Sequence, residues 1–287
     1  MEQVWLVTGS SRGLGRAIVE AGLAAGNKVL ATARNIESLR DLSERYGDQV
    51  KLFALDVTDE SAAAGAVKTA IDAFGSLDVV INNAGYGNLS SVEDTPMSDF
   101  RAQIETNLFG TIIVTKAALP YFRKRKAGHF VQLSSMGGRI GPPGRGPYSA
   151  AKWGVEGFSE VLAREVKPLG IKVTIVEPGG FRTDFAGSST KLSEGRPEYD
   201  STVGATARFQ RDYNGKQPGD PKKAAQAIVQ LTLEEKPPLR LLLGSDAYNG
   251  AEKNDLARLE EARAWKKLSL STDFESEFPS RGTVSAK

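Results

Sequence analysis

A tyrosine and a lysine, Tyr148 and Lys152, stand four residues apart in the stretch YSAAKWGVEGFSE, residues 148–160. In a helix this spacing places both side chains on one face. A free tyrosine has a pKa near 10, too high for efficient acid–base work at neutral pH, and a neighbouring ammonium group lowers it by favouring the phenolate. The pair therefore indicates proton transfer at Tyr148, although the same spacing is common on ordinary helix surfaces.

Polar residues at two predicted strand ends can join this pair. One strand ends in Ser134-Ser135, and a serine hydroxyl there can hold a substrate oxygen beside the Tyr148 phenol. The stretch INNAG, residues 81–85, places polar groups at the end of another strand, where a cofactor would cross. Asn107 falls in a predicted long helix, for which asparagine has a poor propensity. These positions indicate a polar site around Tyr148.

A glycine-rich loop, VTGSSRGLG at residues 7–15, follows a short apolar run and opens a helical pattern. Gly9 can supply a tight turn, Gly13 lets the backbone approach a pyrophosphate, and Gly15 lets the helix pack close to the strand. The free N–H groups and the dipole of that helix then face the phosphates. The loop predicts a dinucleotide site, with an ordinary glycine-rich turn as the alternative.

The end of the second predicted strand indicates which dinucleotide binds. An acidic residue there would bind a ribose 2′-hydroxyl, whereas an arginine suits a 2′-phosphate. The strand ends in Thr32-Ala33-Arg34-Asn35 without a carboxylate, and Arg12 in the glycine loop adds a second cation. Unless both arginines are merely solvated surface residues, they favour NADP(H), with NAD(H) as the alternative cofactor.

Short apolar runs alternate with longer amphipathic stretches along the chain, and the runs lack the polar alternation of a half-exposed strand. The predicted strands span residues 4–8, 28–33, 51–55, 78–82, 129–134, 172–177 and 239–243. The predicted helices span residues 14–25, 36–46, 59–74, 97–125, 147–168 and 221–234. This order predicts an α/β fold: one Rossmann-type, doubly wound domain with a seven-stranded parallel sheet and helices on both faces.

We expect residues 1–250 to form the dinucleotide-binding and catalytic domain. Within it, residues 184–220 are rich in Gly, Ser, Thr and Pro and have no sustained period, which predicts a substrate lid. Residues 251–287 are predicted to form a C-terminal helix, over 251–268, and a tail.

Composition narrows the class of protein. The chain has 287 residues, of which 40% are hydrophobic and 25% charged, as in an ordinary globular protein. It has no cysteine and a single histidine, His129, interpreted as a strand-edge residue. Disulfides and thiolate metal sites are therefore excluded, a Ser-His-Asp triad is disfavoured, and we expect no metal site.

Targeting and charge patterns point to a small-molecule enzyme. There is no apolar run of membrane-spanning length, and the first strand begins too early to leave room for a signal peptide, so we expect a cytoplasmic protein without a membrane partner. The stretch RKRK, residues 123–126, ends a predicted helix, where cations favour the dipole. With a net charge of +2, it indicates a solvated face and no nucleic-acid partner.

Together these residues resemble the short-chain dehydrogenase/reductase family over roughly residues 3–245. The resemblance rests on Thr8-Gly9-x-x-x-Gly13-x-Gly15, Asn82-Asn83-Ala84-Gly85, Asn107, the Ser135 region, Tyr148-x-x-x-Lys152 and Pro178-Gly179. It implies a catalytic tetrad of Asn107, Ser135, Tyr148 and Lys152. We choose Ser135 over Ser134 because the serine of the family usually lies thirteen residues before the tyrosine.

The resemblance also implies a cofactor site. It assigns Asp56 to the adenine end, Lys152 to the nicotinamide ribose and Thr183 to the carboxamide. The implied cofactor-binding residues are Gly9, Ser11, Arg12, Gly13, Leu14, Gly15, Arg34, Asp56, Val57, Asn83, Ala84, Gly85, Tyr148, Lys152, Pro178, Gly179, Phe181 and Thr183. Gly180 departs from the family, which often has an apolar residue there, so the wall beside the nicotinamide is not assigned.

The implied activity is the NADPH-dependent reduction of a ketone or aldehyde to an alcohol, or the reverse. Tyr148 acts as general acid and base, Ser135 binds the carbonyl oxygen, Lys152 lowers the Tyr148 pKa, and Asn107 holds a water. Aromatic residues of the predicted lid favour an apolar, aromatic, steroid-like or retinoid-like carbonyl compound, although they also fit packing of the loop against the body. They are Phe185, Tyr199, Phe209 and Tyr213.

Other functions on this fold stay open at this point: an NAD-linked alcohol dehydrogenase, an epimerase or dehydratase, and an NADP(H)-binding sensor without catalysis. Arg34 argues against the first, and the complete tetrad argues against the sensor. The helices predicted near 97–125 and 147–168 resemble those through which family members associate, which predicts a homodimer or homotetramer.

Overall fold

Seven parallel strands form one sheet within the part of the chain that the structure describes, residues 2–187 and 190–274 of a computed structural model. The strands are β1 (Val4–Val7), β2 (Lys28–Ala33), β3 (Val50–Ala54), β4 (Val79–Asn82), β5 (Gly128–Leu133), β6 (Ile171–Pro178) and β7 (Arg240–Leu243). Their order is β3-β2-β1-β4-β5-β6-β7, and every neighbouring pair is parallel. The winding reverses between β1 and β4, which is where sheets of this kind bind ligands.

Helices cover both faces of the sheet. They are α1 (Gly13–Ala24), α2 (Arg40–Tyr46), α3 (Glu60–Phe74), α4 (Met97–Ile104), α5 (Gly110–Arg125), α6 (Gly146–Val166), α7 (Ala205–Tyr213), α8 (Pro221–Leu233), α9 (Ser245–Ala264) and α10 (Lys266–Leu270). Helices α1, α2 and α8 pack on one face, and α3, α5 and α6 pack on the other. The predicted doubly wound α/β fold is therefore confirmed.

Strand β1 shows why the apolar runs lack polar alternation. Trp5 and Val7 are buried in the hydrophobic cluster that includes α1 and α8, whereas Val4 and Leu6 are buried in the cluster that includes α3 and α5. Successive side chains of a strand point to opposite faces, so a strand covered on both sides needs an apolar residue at every position. The sheet therefore lies between two apolar layers, and its polar groups can lie at the ends of the strands.

The helix predicted over residues 97–125 is interrupted in the structure. A π-helical turn, Glu105–Phe109, separates α4 from α5, and buried Asn107 lies in it. A π-turn adds a residue to the helix and shifts the side chains that follow. One added residue changes the apolar period too little to be detected in the sequence.

Residues 184–220 were predicted to be irregular, but they contain α7. Val203 and Ala207 are buried apolar residues of this part and pack against Leu89. Two buried positions are too few to give the sequence a helical period. Residues 188–189 of the predicted lid lie outside the described residues.

The C-terminal helix begins at Ser245, six residues before the predicted start, because Ala247 and Ala251 are buried against the body and extend the helix to the end of β7. The predicted tail beyond residue 274 lies outside the described residues. In the described ranges no helix combines the length and the apolarity that crossing a bilayer requires.

His129 follows Gly128 at the beginning of a strand, as predicted, and this strand lies in the interior of the sheet. It stands in β5, between β4 and β6, and is 3% exposed. Its Nε2 lies 3.1 Å from Thr174 Oγ1. Burial, with a smaller contribution from the charge of Lys172, lowers the pKa of His129 to about 3, so the folded protein holds it neutral.

Candidate active site

The loop between β1 and α1 has a backbone that requires glycine. Gly9 and Gly13 have positive φ angles, +67° and +59°. A Cβ on Gly9 would lie 2.8 Å from Ala84 Cα, and one on Gly15 would lie 2.3 Å from the carbonyl oxygen of Gly9. The first turn of α1 has neither a capping side chain nor an acidic residue, so its N–H groups are free to bind an anion.

Hydrogen bonds join this loop to the end of β4. Asn83 Nδ2 donates to the carbonyl oxygens of Thr8, at 2.9 Å, and Gly9, at 3.1 Å. In return, Thr8 Oγ1 accepts the backbone N–H groups of Asn83 and Ala84, each at 3.0 Å. The two strand ends at the switch point are therefore held as one rigid unit.

Positive charge lies beside the glycine loop. Arg12 and Arg34 are exposed and line the same cavity, and neither forms an ion pair with any residue that the structure describes. Asp56 lies near Arg34, but its carboxylate already accepts the Thr58 backbone N–H, at 3.0 Å, and hydroxyl, at 2.8 Å. These two bonds, and then the Arg34 charge, lower the pKa of Asp56. Two guanidinium groups thus remain available for a phosphate.

Tyr148 lies near the start of α6 and is 8% exposed. Burial raises its pKa, while the Ser135 hydroxyl and the Arg145 charge act in the opposite direction. Ser135 lies at the end of β5 and lines the cavity, and its Oγ accepts the Gly137 N–H at 3.0 Å. Ser134 is buried, and its Oγ has no hydrogen-bond partner among the described residues. The geometry thus places Ser135, and not Ser134, beside the phenol.

Lys152 is held by the end of β5, and its expected effect on the Tyr148 pKa stays a prediction. Its Nζ donates to the carbonyl oxygen of Leu133 at 2.7 Å and lies 5.9 Å from the centre of the Tyr148 ring. Burial lowers the pKa of Lys152 to about 8, against a smaller opposing effect of Glu156. Because burial also dominates at Tyr148, the phenol has a raised pKa in this structure despite the nearby ammonium group.

Asn107 lies behind the wall of the cavity. Its Oδ1 accepts the backbone N–H of Tyr86 at 2.9 Å, and its Nδ2 donates to the Tyr86 carbonyl oxygen at 2.7 Å. A Cβ on Gly85 would lie 2.9 Å from this Oδ1 and 3.6 Å from Lys152 Nζ. The π-turn thus brings Asn107 beside Lys152, with its side chain committed to the loop after β4.

A cavity of about 1030 Å³ runs from the glycine loop past Tyr148. Every residue predicted for the cofactor or the tetrad lines it, apart from Asn107. At the far end Phe185 packs on Tyr148 with ring centres 5.5 Å apart, and Phe209 stacks on Tyr213 at 5.0 Å. Tyr199, the fourth predicted lid aromatic, does not line the cavity and donates its hydroxyl to Glu93 instead.

The polar side chains of the cavity that the sequence did not predict include Arg145, Gln210 and Asp246. Arg145 lies three residues before Tyr148, a spacing that places it near the same helix face, and this signal was available. Gln210 on α7 and Asp246 on α9 reach the cavity only through the fold. Among the described residues, no group of three or more His, Cys, Asp or Glu side chains is placed to hold a metal ion.

Asp246 accounts for the unusual Gly180. Its Oδ2 accepts the Gly180 backbone N–H at 2.7 Å. A Cβ on Gly180 would lie 2.7 Å from the hydroxyl oxygen of Tyr213 and 3.2 Å from Asp246 Oδ2. The space that an apolar side chain would take is therefore occupied by Tyr213 and Asp246.

A doubly wound sheet with a glycine loop and a polar cavity at its switch point is typical of dinucleotide-dependent enzymes. Residues 3–193 match the short chain dehydrogenase family. The chain is 48% identical over 273 residues to "Oxidoreductase BOA17" of Botryotinia fuckeliana, covering 95% of this chain and 100% of that protein. The chain belongs to the short-chain dehydrogenase family of NAD(P)-dependent oxidoreductases.

Solved structures agree with this assignment. A short-chain dehydrogenase from Streptomyces avermitilis superposes with a TM-score of 0.88 at 42% identity, covering 95% of this chain and 98% of that one. An alcohol dehydrogenase from the archaeon Thermococcus sibiricus, complexed with 5-hydroxy-NADP, superposes with a TM-score of 0.70 at 25% identity, covering 85% of this chain and 96% of that one.

Proposed function

We propose that the protein reduces a ketone or aldehyde carbonyl to an alcohol with NADPH, and catalyses the reverse reaction. One observation carries this proposal: the Tyr148 phenol, Ser135 and Lys152 line the same cavity as the glycine loop. A single elongated ligand in that cavity would bring its far end to the phenol. The position of Tyr148, and not the fold alone, therefore supports a catalytic function.

The residues of this chain have distinct tasks in the proposed reaction. When bound, NADPH supplies a hydride to the carbonyl carbon. Tyr148 donates its hydroxyl proton to the carbonyl oxygen, which becomes the alcohol, and Ser135 binds that oxygen as charge develops on it. An ordinary tyrosine is already protonated at neutral pH, as a proton donor must be, and burial raises the pKa of Tyr148 further. Lys152 is held against Leu133 and close to Asn107, beside the phenol.

The glycine loop and its two arginines fit NADP(H) better than NAD(H). Gly9, Gly13 and Gly15 leave bare backbone where a pyrophosphate would lie, and α1 begins there with uncapped N–H groups. Arg12 and Arg34 form no ion pair within the described residues, and guanidinium groups bind phosphate in a bidentate manner. Asp56, the acidic residue nearby, already accepts two hydrogen bonds from Thr58 through its Oδ1.

The test is the oxidation of NADPH and NADH across a panel of ketones and aldehydes. We expect at least one carbonyl class to be reduced, with NADPH preferred by about tenfold or more. NADPH that binds tightly but is consumed with no member of the panel would contradict the proposal and favour a sensor. A preference for NADH would overturn the cofactor assignment alone.

A further inference from the structure

Arg145 precedes α6 and lines the cavity within reach of the proposed catalytic tyrosine. Its Cζ lies 6.0 Å from the centre of the Tyr148 ring. Its guanidinium donates to the carbonyl oxygens of Gly87, at 3.3 Å, and Asn88, at 3.5 Å, and to Gln210 Oε1. The two carbonyl contacts are long for hydrogen bonds, so they satisfy the guanidinium weakly.

No carboxylate compensates this charge. Among the residues that the structure describes, Arg145 has no salt-bridge partner. Two other partly buried arginines contrast with it: Arg139 pairs with Glu177 and Asp255, and Arg240 pairs with Glu156 and Glu160. Burial lowers the pKa of Arg145, which agrees with a guanidinium that no carboxylate of the described residues faces. Charges of this kind are usually paired.

Gln210 adds a second donor at the same place. It lies on α7, is 7% exposed, and accepts from Arg145 through Oε1. Its Nε2 is buried and has no hydrogen-bond partner in the described part of the chain. A buried amide donor without an acceptor is costly. The Arg145 guanidinium and the Gln210 amide lie side by side in the cavity wall, and both carry N–H donors of the kind that the oxygens of a carboxylate accept.

We propose that Arg145 and Gln210 form a subsite for a carboxylate of the substrate, so that the protein reduces keto acids. The proposal rests on the proposed function, because it takes the substrate carbonyl to lie at Tyr148. Arg145 Cζ lies 6.0 Å from the centre of the Tyr148 ring, and both residues line one cavity, so a single substrate can contact both. The aromatic side chains of Phe185 and Phe209, which also line the cavity, cover an apolar or aromatic remainder.

The direct test compares α-, β- and γ-keto acids that each carry a phenyl group with their methyl esters. For at least one spacing we expect the acid to have a kcat/KM about tenfold or more above that of its ester, mainly through KM. In Arg145→Gln the ratio of kcat/KM for the acid to that for the ester should fall close to one. Arg145→Lys keeps the positive charge but loses the two parallel N–H donors of the guanidinium, so it should give an intermediate ratio. Lys191→Gln is the matched control, because it also removes a positive charge, but from an exposed side chain that does not line the cavity. Esters that match the acids at every spacing, or a ratio that survives in Arg145→Gln, would overturn the subsite.

A second variant covers the case in which Arg145 mainly holds the Gly87 loop and its substitution unfolds the protein. Gln210→Glu keeps the size of the side chain and places a carboxylate on the guanidinium. We expect this variant to remain folded and to prefer the esters. An acid preference that is unchanged in Gln210→Glu would contradict the subsite.

Binding of phenylbutyrate, a carboxylate without a reactive carbonyl, separates the two proposals. By calorimetry it should bind the wild type and Tyr148→Phe with similar affinity, and Arg145→Gln about tenfold more weakly. If phenylbutyrate binds in a manner that depends on Arg145 but the protein reduces no carbonyl compound, the proposed function is contradicted and the subsite is supported. Reduction of neutral ketones without binding of phenylbutyrate would sink the subsite and leave the function standing.

Discussion

The ammonium group of Lys152 is bound to the carbonyl oxygen of Leu133, 2.7 Å away, while its distance to the Tyr148 ring centre is 5.9 Å. The Leu133 carbonyl group at the end of β5 thus fixes the position of the Lys152 ammonium group near the Tyr148 ring. Both groups are buried, and burial disfavours the charged form of each: it lowers the lysine pKa to about 8 and raises the pKa of the tyrosine. At neutral pH the pair is therefore a neutral phenol beside an ammonium group.

The depressed pKa of Lys152 predicts a pH dependence of stability. Between about pH 8 and the ordinary lysine value of 10.5, the unfolded chain keeps a proton on Lys152 that the folded chain has lost. Stability therefore rises with pH in this window, and the rise is absent from Lys152→Met. We expect the wild type to gain about 2 to 3 kcal/mol relative to this variant from pH 8 to 10. Urea unfolding of both proteins measures the difference, and parallel curves would contradict the burial of a charged Lys152.

The depressed pKa of His129 predicts a pH dependence of stability at acid pH. Its folded pKa of about 3 lies below the ordinary value of 6.5, so the unfolded chain takes up a proton first as pH falls, and stability is lost from about pH 6.5 downward. His129→Leu removes this loss. Between pH 7 and 4 we expect the wild type to lose about 3 kcal/mol more than the variant, measured by urea unfolding. Because His129 is the only histidine, an equal acid loss in both proteins would show that it is protonated in the fold.

Arg34 should distinguish the two nicotinamide cofactors. Removal of a guanidinium that binds a 2′-phosphate should weaken NADPH binding about tenfold or more and leave NADH binding almost unchanged. Calorimetric titration of Arg34→Ala with both cofactors measures this. Arg40→Ala, an exposed arginine close in the chain and outside the cavity, is the control. An equal loss of affinity for NADPH and NADH would show that Arg34 does not bind the 2′-phosphate.

The fold was predictable because central strands such as β1 and β4 are buried on both faces, and continuous apolar runs such as Val4–Val7 record that burial directly in the sequence. The glycines of the first loop were equally readable, since Gly9 and Gly13 have positive φ angles and a Cβ on Gly9 or Gly15 would clash with the backbone. In both cases the residue type at a position is determined by the burial or the backbone conformation of that position alone.

What the sequence did not predict depends on contacts between distant segments. The direction of Lys152 is set by the Leu133 carbonyl, nineteen residues away. Gln210 reaches the cavity because α7 packs over it, and Asp246 because α9 begins at the end of β7. The π-turn that carries Asn107 is a single-residue insertion. Periodicity records which face of an element is buried, but not which polar group lies opposite it.

The most direct test of the proposed chemistry is the reduction of a carbonyl substrate by Tyr148→Phe, measured together with the affinity for NADPH. Removal of one hydroxyl takes away the proton donor but leaves the ring, its packing on Phe185 and the glycine loop intact. We expect kcat/KM to fall by about 10²–10⁴-fold, while the Kd for NADPH stays within about threefold of the wild type. Wild-type turnover in this variant would show that the proton comes from elsewhere and that Tyr148 is not the catalytic acid.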